Sequence, residues 1–334
     1  MISKILKSIK IFNLSLNNKN ILTEAASGNY LVTPIIAALA GAKVTAVVKN
    51  TKYGTVREVK NQIFKLANKL NIKKNIRVVS KKEKIDFSQF DVVTNTGHVR
   101  PINKKMIRKL KKNCVIPLMW ETWEYREQDI DLEACFKRGI KVYGTNEADS
   151  RLKTFEYIGY TTLSLLLQNK YSPFSAKVLI LGCNKFSKPI LKILRQNNYS
   201  CTHISKFNGV SPDVNKYDVI IISEHSRNNL LIGSKGFIKP KKLKPENYII
   251  HICGNVDFKE VKCKAIPKQP AKYGYMSYTA DYIDNKAVID LHTAGLKVAE
   301  GMIKGNEMNL NKKKFKKYMI ENYPAMPFEK KKYW

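Results

Sequence analysis

Five histidines and six cysteines are the chain's scarcest chemical resources, and few of them stand where a strand end would present them. The segment NTGHVRP puts His98 and Arg100 directly behind a predicted strand, and strand ends in open α/β sheets face the ligand crevice. Arg100 could clamp a carboxylate or phosphate with its planar fork, and His98 could act as acid or base. A surface salt bridge is the competing role for Arg100. The segment MWETWEYREQDID follows another predicted strand and gathers Trp120, Glu121, Trp123, Glu124 and Arg126. An aromatic, acidic wall of this kind suits a polyol, sugar or amine better than a small carboxylate, with interdomain packing of the tryptophans as the alternative.

A third constellation is the turn GCNKFS. Gly182 supplies the first glycine of a dinucleotide fingerprint, while Asn184 and Ser187 stand where further glycines would be expected and Phe186 lies between them. Asn tolerates a left-handed backbone and Ser caps helices, so an anion could sit at the N-terminus of the next helix. A strand-to-helix turn that binds nothing is the plainer reading. About 20 residues on, where an acid would hold the ribose hydroxyls, the chain reads CTHISKF. There His203, Ser205 and Lys206 suit a 2′-phosphate, which favours NADP over NAD.

The elements that must position these residues alternate strand and helix, the pattern of parallel sheets. Strands are expected at 20–24, 43–48, 75–79, 90–95, 115–119 and 141–143, with helices at 30–40, 55–70, 104–111 and 131–138. A long helix follows at 153–168, its apolar positions at helical spacing. A second set comprises strands at 177–182, 200–205, 219–223 and 248–253 and a helix at 189–196. From residue 287 the chain again reads as helix, through 303, and then as a tail of Lys-rich turns.

The 334 residues exceed what one core usually organises and suggest two domains. A hydrophobic content of 44% is ordinary, and no apolar run could span a bilayer. The N-terminal MISKILKSIKIFNL has no apolar core of signal length, so a cytoplasmic location is expected. The six cysteines show no C-x-x-C pair, which argues against a disulfide framework and a zinc site, and no metal is expected. The formal charge of +33 is spread along the whole chain without a nucleic-acid-binding motif. Specific nucleic-acid binding is therefore not expected, though anionic small molecules are favoured.

Residues 131–167, DLEACFKRGIKVYGTNEADSRLKTFEYIGYTTLSLLL, resemble the D-2-hydroxyacid dehydrogenase crossover, in which an acidic-led helix and an R-G-I-x-V strand precede the long helix entering the coenzyme domain. The resemblance continues in VLILGCNKF, in IIHICGNVD, which is similar to the family's strand ending in R-G-x-x-x-D, and in LHTAGLKVAEG, which resembles its H-x-x-G-x-T segment. It spans roughly residues 85 to 300. It implies two doubly wound Rossmann-like domains with parallel sheets, the coenzyme domain inserted into the first. The expected boundaries are 1–150 plus 290–334 for a flavodoxin-like substrate domain and 151–289 for a nucleotide-binding domain.

The same resemblance implies an NAD(P)-dependent oxidoreductase acting on a hydroxy or oxo metabolite in the cleft between domains, with a homodimer as an assembly it could form. His292 matches the family's acid/base histidine. Cys253, followed by Gly254, stands where the family has its substrate-binding arginine. The loop at 119–131 replaces a glycine-rich one, which opens the way to a sugar-derived substrate. Two other readings stand beside this one. ILTEAASGNYLVTPIIAALAGAKVTAVVKN resembles the first motif of S-adenosylmethionine-dependent methyltransferases, with Ser27, Gly28 and Asn29 under the nucleoside but Lys49 and Asn50 where the ribose-binding acid belongs. The third reading is a catalytically silent ligand-binding protein on a dehydrogenase scaffold.

Overall fold

In a computed structural model of the chain, residues 1–328 are described, apart from the side chain of Ala280; the last residues of the Lys-rich tail lie outside the described residues. The chain divides into two compact units, Met1–Leu152 joined by the segment from Asn285 onward, and Lys153–Asp284.

In the first unit the elements run α1 (Ile2–Phe12), β1 (Asn20–Glu24), α2 (Val32–Leu39), β2 (Lys43–Val47), α3 (Val56–Lys69), β3 (Ile76–Val79), β4 (Val92–Val93), α4 (Lys104–Ile107), β5 (Val115–Pro117), α5 (Leu132–Lys137) and β6 (Lys141–Thr145). The second unit contributes α6 (Thr154–Gln168), β7 (Lys177–Gly182), α7 (Asn184–Gln196), β8 (Ser200–Ile204), β9 (Val219–Ser223), β10 (Leu230–Ile232), β11 (Tyr248–Cys253), β12 (Asn255–Val256) and β13 (Lys264–Ile266). The chain then returns to the first unit through α8 (Lys286–Glu307), α9 (Lys312–Asn322) and β14 (Ala325–Met326).

The central strands are apolar nearly end to end because both faces of each sheet are covered; in the second unit the face carrying Leu179, Leu181, Ile220, Ile222 and Ile249 packs on Leu231 and Ile232 of β10 and on loop residues such as Ile238 and Leu243 rather than on a helix. Every residue of β9 and β11 is buried, as parallel sheets require. The first unit's seven strands lie in the order β14-β6-β5-β4-β1-β2-β3, parallel except for β14 against β6. Starting from β3 this is the 3-2-1-4-5-6 order of dinucleotide-binding sheets, which corrects the flavodoxin-like order expected for this unit. The difference arises because β3 adds beyond β2 and extends that edge. The second unit's five-stranded sheet, β13-β11-β9-β7-β8, is wholly parallel. Its order, 2-1-3-4-5 when counted within the unit, places the topological switch point between β7 and β9.

Helix boundaries differ from the expected ones where local chemistry overrides the pattern. Helix α7 begins at Asn184, with Pro189 inside it, rather than at the proline. Residues Gly28–Leu31 form a 3-10 turn before α2. Helix α8 is buried along nearly its whole length and packs on α1, α2, β5 and β6. Lys297 on α8 donates to the Asn13 carbonyl at the end of α1, 2.7 Å away, and to Glu300 at 2.9 Å, while Glu300 accepts the Ser15 amide at 3.0 Å. A cation placed at a helix C-terminus also complements the helix dipole. Among the described residues no helix is long and apolar enough to cross a membrane.

Candidate functional site

In the first unit the switch point lies between β1 and β4, whose ends carry Glu24 and the segment from Thr94 to Arg100. Glu24 is buried; its amide donates to Thr96 Oγ1 at 3.1 Å, and its carboxylate accepts the His98 amide at 2.9 Å. Burial holds His98 below its ordinary pKa, with Lys49 and Arg100 pushing the same way and Glu24 opposing them. His98 is therefore neutral at pH 7 and suited to accept a proton. Lys82 donates to the carbonyls of Val99 and Pro101, and burial together with Lys49 pushes its ammonium down to about 8.

Arg100 binds Asp129 at 2.6 Å, and Arg126 binds the same oxygen at 2.7 Å. Both guanidiniums also stand over the Trp120 ring, at 5.3 and 5.4 Å, a desolvated cation–π arrangement. Trp120, expected on a wall facing ligand, carries two arginines over its ring, and among the described residues its buried indole Nε1 has no hydrogen-bond partner. Glu121 is turned inward, where it is 1% exposed and accepts the Glu147 amide. Trp123 is half-buried. Burial raises the half-buried Glu124 to about 8, opposed by Arg126 and assisted by Glu121. The Trp120 ring of this loop is thus committed to arginine stacking, because Arg100 arrives from a different strand end.

His292 is buried in α8. Its Nδ1 lies 2.5 Å from Thr33 Oγ1 on α2, and its ring is 6.0 Å from that of Tyr30. Thr33 thereby fixes the ring orientation. In the methyltransferase-like segment, Asn50 Oδ1 accepts the Val56 amide at the start of α3, and Gly28 takes a left-handed φ of 67°.

In the second unit, Gly182 ends β7 so close to β9 that an added Cβ would lie 1.9 Å from the Ser223 carbonyl oxygen. Only glycine fits there. Cys183 is the N-cap of α7 and makes no side-chain cap bond, and the first-turn amides from Asn184 to Phe186 precede any carbonyl of their own helix that could accept them. Ser187, expected as a cap, instead points inward and meets Ser223 Oγ at 2.8 Å. Phe186 is buried edge-on against Phe155. Ser205 and Lys206 follow the end of β8, half-buried and exposed respectively, and His203 Nε2 lies 3.0 Å from the Gly182 carbonyl oxygen. Cys253 is fully buried, and its carbonyl accepts the Glu224 amide at 3.1 Å. Gly254 follows it with φ 140°.

The same strand ends carry a cluster that the sequence pattern hid. His225 Nδ1 lies 2.9 Å from Cys183 Sγ and 3.4 Å from Glu224 Oε1. These hydrogen bonds push the imidazole up to about 10 against the effect of burial. Glu224 is buried, which raises its pKa, yet the bonds from His225 and the Ser226 amide carry it below the ordinary carboxylate value. Cys183 and His225 are 42 positions apart, and the only signal that unites them is that each follows a strand pointing at the switch point.

Two sheets of doubly wound order, the second wholly parallel and the first parallel but for β14, define a two-domain Rossmann-type α/β protein. No family model matches the sequence, and no curated protein does. Among solved structures, a dipicolinate synthase chain from Bacillus halodurans is similar, at 11% identity and a TM-score of 0.54, over 87% of this chain and 98% of that one. A dipicolinate synthase chain from Bacillus subtilis gives 13% identity and a TM-score of 0.51, over 89% of this chain and 98% of that one. These likenesses bear out the two-domain Rossmann-type fold expected from the sequence.

Proposed function

We propose that the chain is a nicotinamide-dependent oxidoreductase of the 2-hydroxyacid dehydrogenase type, with Lys153–Asp284 as its coenzyme unit. The observation that carries this reading is the β7–Gly182–α7 turn. A position where no side chain fits leads directly into the N-terminus of a helix without a side-chain cap, at the switch point of a parallel sheet. The turn suits a pyrophosphate held by the amides of Asn184 to Phe186. Ser205 and Lys206 suit a 2′-phosphate, which favours NADP.

A bound reduced nicotinamide would supply hydride to a carbonyl carbon. In the oxidative direction the neutral imidazole of His98 accepts a hydroxyl proton, and His292, with Nδ1 held by Thr33, is the alternative acid/base through Nε2. Arg100 and Lys49 stand beside His98 with Glu24 opposing them, and Arg100 is paired with Asp129, so an anionic hydroxy or oxo metabolite would be held in this unit by Arg100 exchanging Asp129 for the substrate.

Thermal shift with millimolar NADPH, NADH, S-adenosylmethionine and S-adenosylhomocysteine tests the reading, because a specific ligand stabilises the native state by mass action. Both nicotinamides should raise the unfolding temperature, NADPH more than NADH, and Lys206→Glu should remove that difference. Absence of any nicotinamide shift would sink the proposal, and a shift with the methionine-derived ligands alone would replace it by a methyltransferase. His292→Asn and His98→Asn, assayed separately, should each retain coenzyme binding, and turnover should be lost in whichever one removes the acid/base.

A further inference from the structure

The geometry points to a zinc site formed by Cys183, Glu224 and His225 at the carboxyl edge of the second unit's sheet, with a water or ligand oxygen completing the coordination. The three donor atoms, Sγ, Oε1 and Nδ1, all lie within 4.8 Å of one another. A thiolate, an imidazole and a carboxylate together make a borderline-soft donor set that suits zinc better than calcium or magnesium.

Two arrangements could bring a thiol, an imidazole and a carboxylate together, and the contacts separate them. In a nucleophilic triad the acid orients one ring nitrogen while the other faces the nucleophile. Here Cys183 and Glu224 converge on the same nitrogen, Nδ1, as ligands around a shared centre do. Bond lengths of about 2.1 Å to nitrogen and oxygen at a tetrahedral zinc require a nitrogen–oxygen separation of about 3.4 Å, and Nδ1 and Oε1 stand 3.4 Å apart. The sulfur–nitrogen edge would be about 3.6 Å, so Sγ must withdraw from its present 2.9 Å by a modest side-chain rotation.

The surroundings hold the ligands in place. Glu224 is 2% exposed, and its Oε1 accepts the Ser226 amide at 2.8 Å. The His225 carbonyl accepts the Tyr273 hydroxyl at 3.0 Å, and its ring lies 6.0 Å from Phe186. Cys183 and His225 are each partly solvent-accessible, which leaves a path for the ion. Three protein ligands with one open position are the arrangement of sites that polarise a bound oxygen rather than of purely structural ones. Cys183 is the N-cap at the turn whose amides the coenzyme reading gives to a pyrophosphate, and because zinc binding is measured without nucleotide, failure of one reading is distinguishable from failure of the other.

The test is titration of the full chain with zinc against a chromophoric chelator, with cobalt substitution as the spectroscopic check. One equivalent should bind, and the cobalt form should show a thiolate-to-metal charge-transfer band. Cys183→Ser should abolish that band. Cys183→Ser and His225→Gln should each weaken zinc binding about a hundredfold or more, since losing an outer-shell partner alone costs up to that much. Glu224→Gln should also weaken binding, and Cys201→Ser should leave it unchanged. Circular dichroism establishes that each variant is folded. Zinc affinity unchanged in folded Cys183→Ser, no stoichiometric binding by the wild type, or alkylation of Cys183 at the same rate with and without zinc would each overturn the proposal.

Discussion

His251 shows how one buried group can set a pH limit on the second unit. It is fully buried on β11, with Nδ1 2.7 Å from Ser277 Oγ and Nε2 3.2 Å from the Gly254 carbonyl oxygen. Burial pushes its pKa down to about 4. The fold therefore favours the neutral ring, and the unfolded chain binds more protons between about pH 6.5 and 4. Its stabilising contribution is complete above about pH 6.5 and is lost as pH falls towards 4, on the order of 3 kcal/mol in all. Acid titration of the unfolding free energy should show this fall, and His251→Gln should flatten it; an unchanged slope in the variant would assign the acid sensitivity elsewhere. Gly182 makes a separate prediction. Because an added methyl group would meet backbone rather than a movable side chain, Gly182→Ala should cost about 1–3 kcal/mol, the scale of overpacking, and should weaken coenzyme binding at the same time. Denaturant titration and coenzyme affinity, measured on the one variant, check both halves of that expectation.

At the scale of elements, the strands were legible in the sequence because burial on both faces turns them into nearly unbroken apolar runs, as in the VLIL of β7 and the III of β9. The edges were less legible. β14 pairs through two residues only, Ala325 and Met326, too short a run to leave a pattern. Pro189 suggests a helix start, yet α7 already begins at Asn184, and two of its residues before the proline are buried, Phe186 by packing and Ser187 through its hydrogen bond to Ser223. At the candidate site, the position of His98 and Arg100 in the segment after β4 was legible because a short apolar run precedes them. The cluster at Cys183 was not, since its members join only when β7 and β9 lie side by side. The contacts of the Trp120 loop were hidden in part for the same reason, because one of the two cations over its ring, Arg100, comes from the end of another strand. Capping tests how α9 is fixed: Asn311 accepts the Lys314 amide at 3.0 Å, and Phe315, four residues on, is buried against α8. Asn311→Ala should therefore cost about 1 kcal/mol in denaturant unfolding, and a neutral effect would mean that packing of Phe315 alone holds the helix.

For the molecule as a whole, 60 basic against 27 acidic side chains leave a formal charge of +33, which disfavours the compact state through self-repulsion. The ion pairs do little to offset this, since those with exposed partners, such as Lys137–Glu133 and Lys19–Glu307, lie in water that screens their attraction. Salt weakens both the repulsion and the pairs, so the sign of its effect shows which dominates. Raising ionic strength from about 0.01 to 0.15 M shortens the screening length from about 30 to 8 Å, which removes long-range repulsion while leaving contact pairs partly intact. The unfolding temperature should therefore rise over that range, and a fall would show that local pairing outweighs the net charge. The same field should hold the chain on an anionic polymer in low salt and release it as salt increases. Because the lysines are distributed over the whole sequence rather than gathered beside a base-reading element, that retention should be indifferent to nucleotide sequence, and competition between DNA duplexes of different sequence at fixed salt measures it. A preference among duplexes that survives physiological salt would overturn that expectation and point to a base-reading surface.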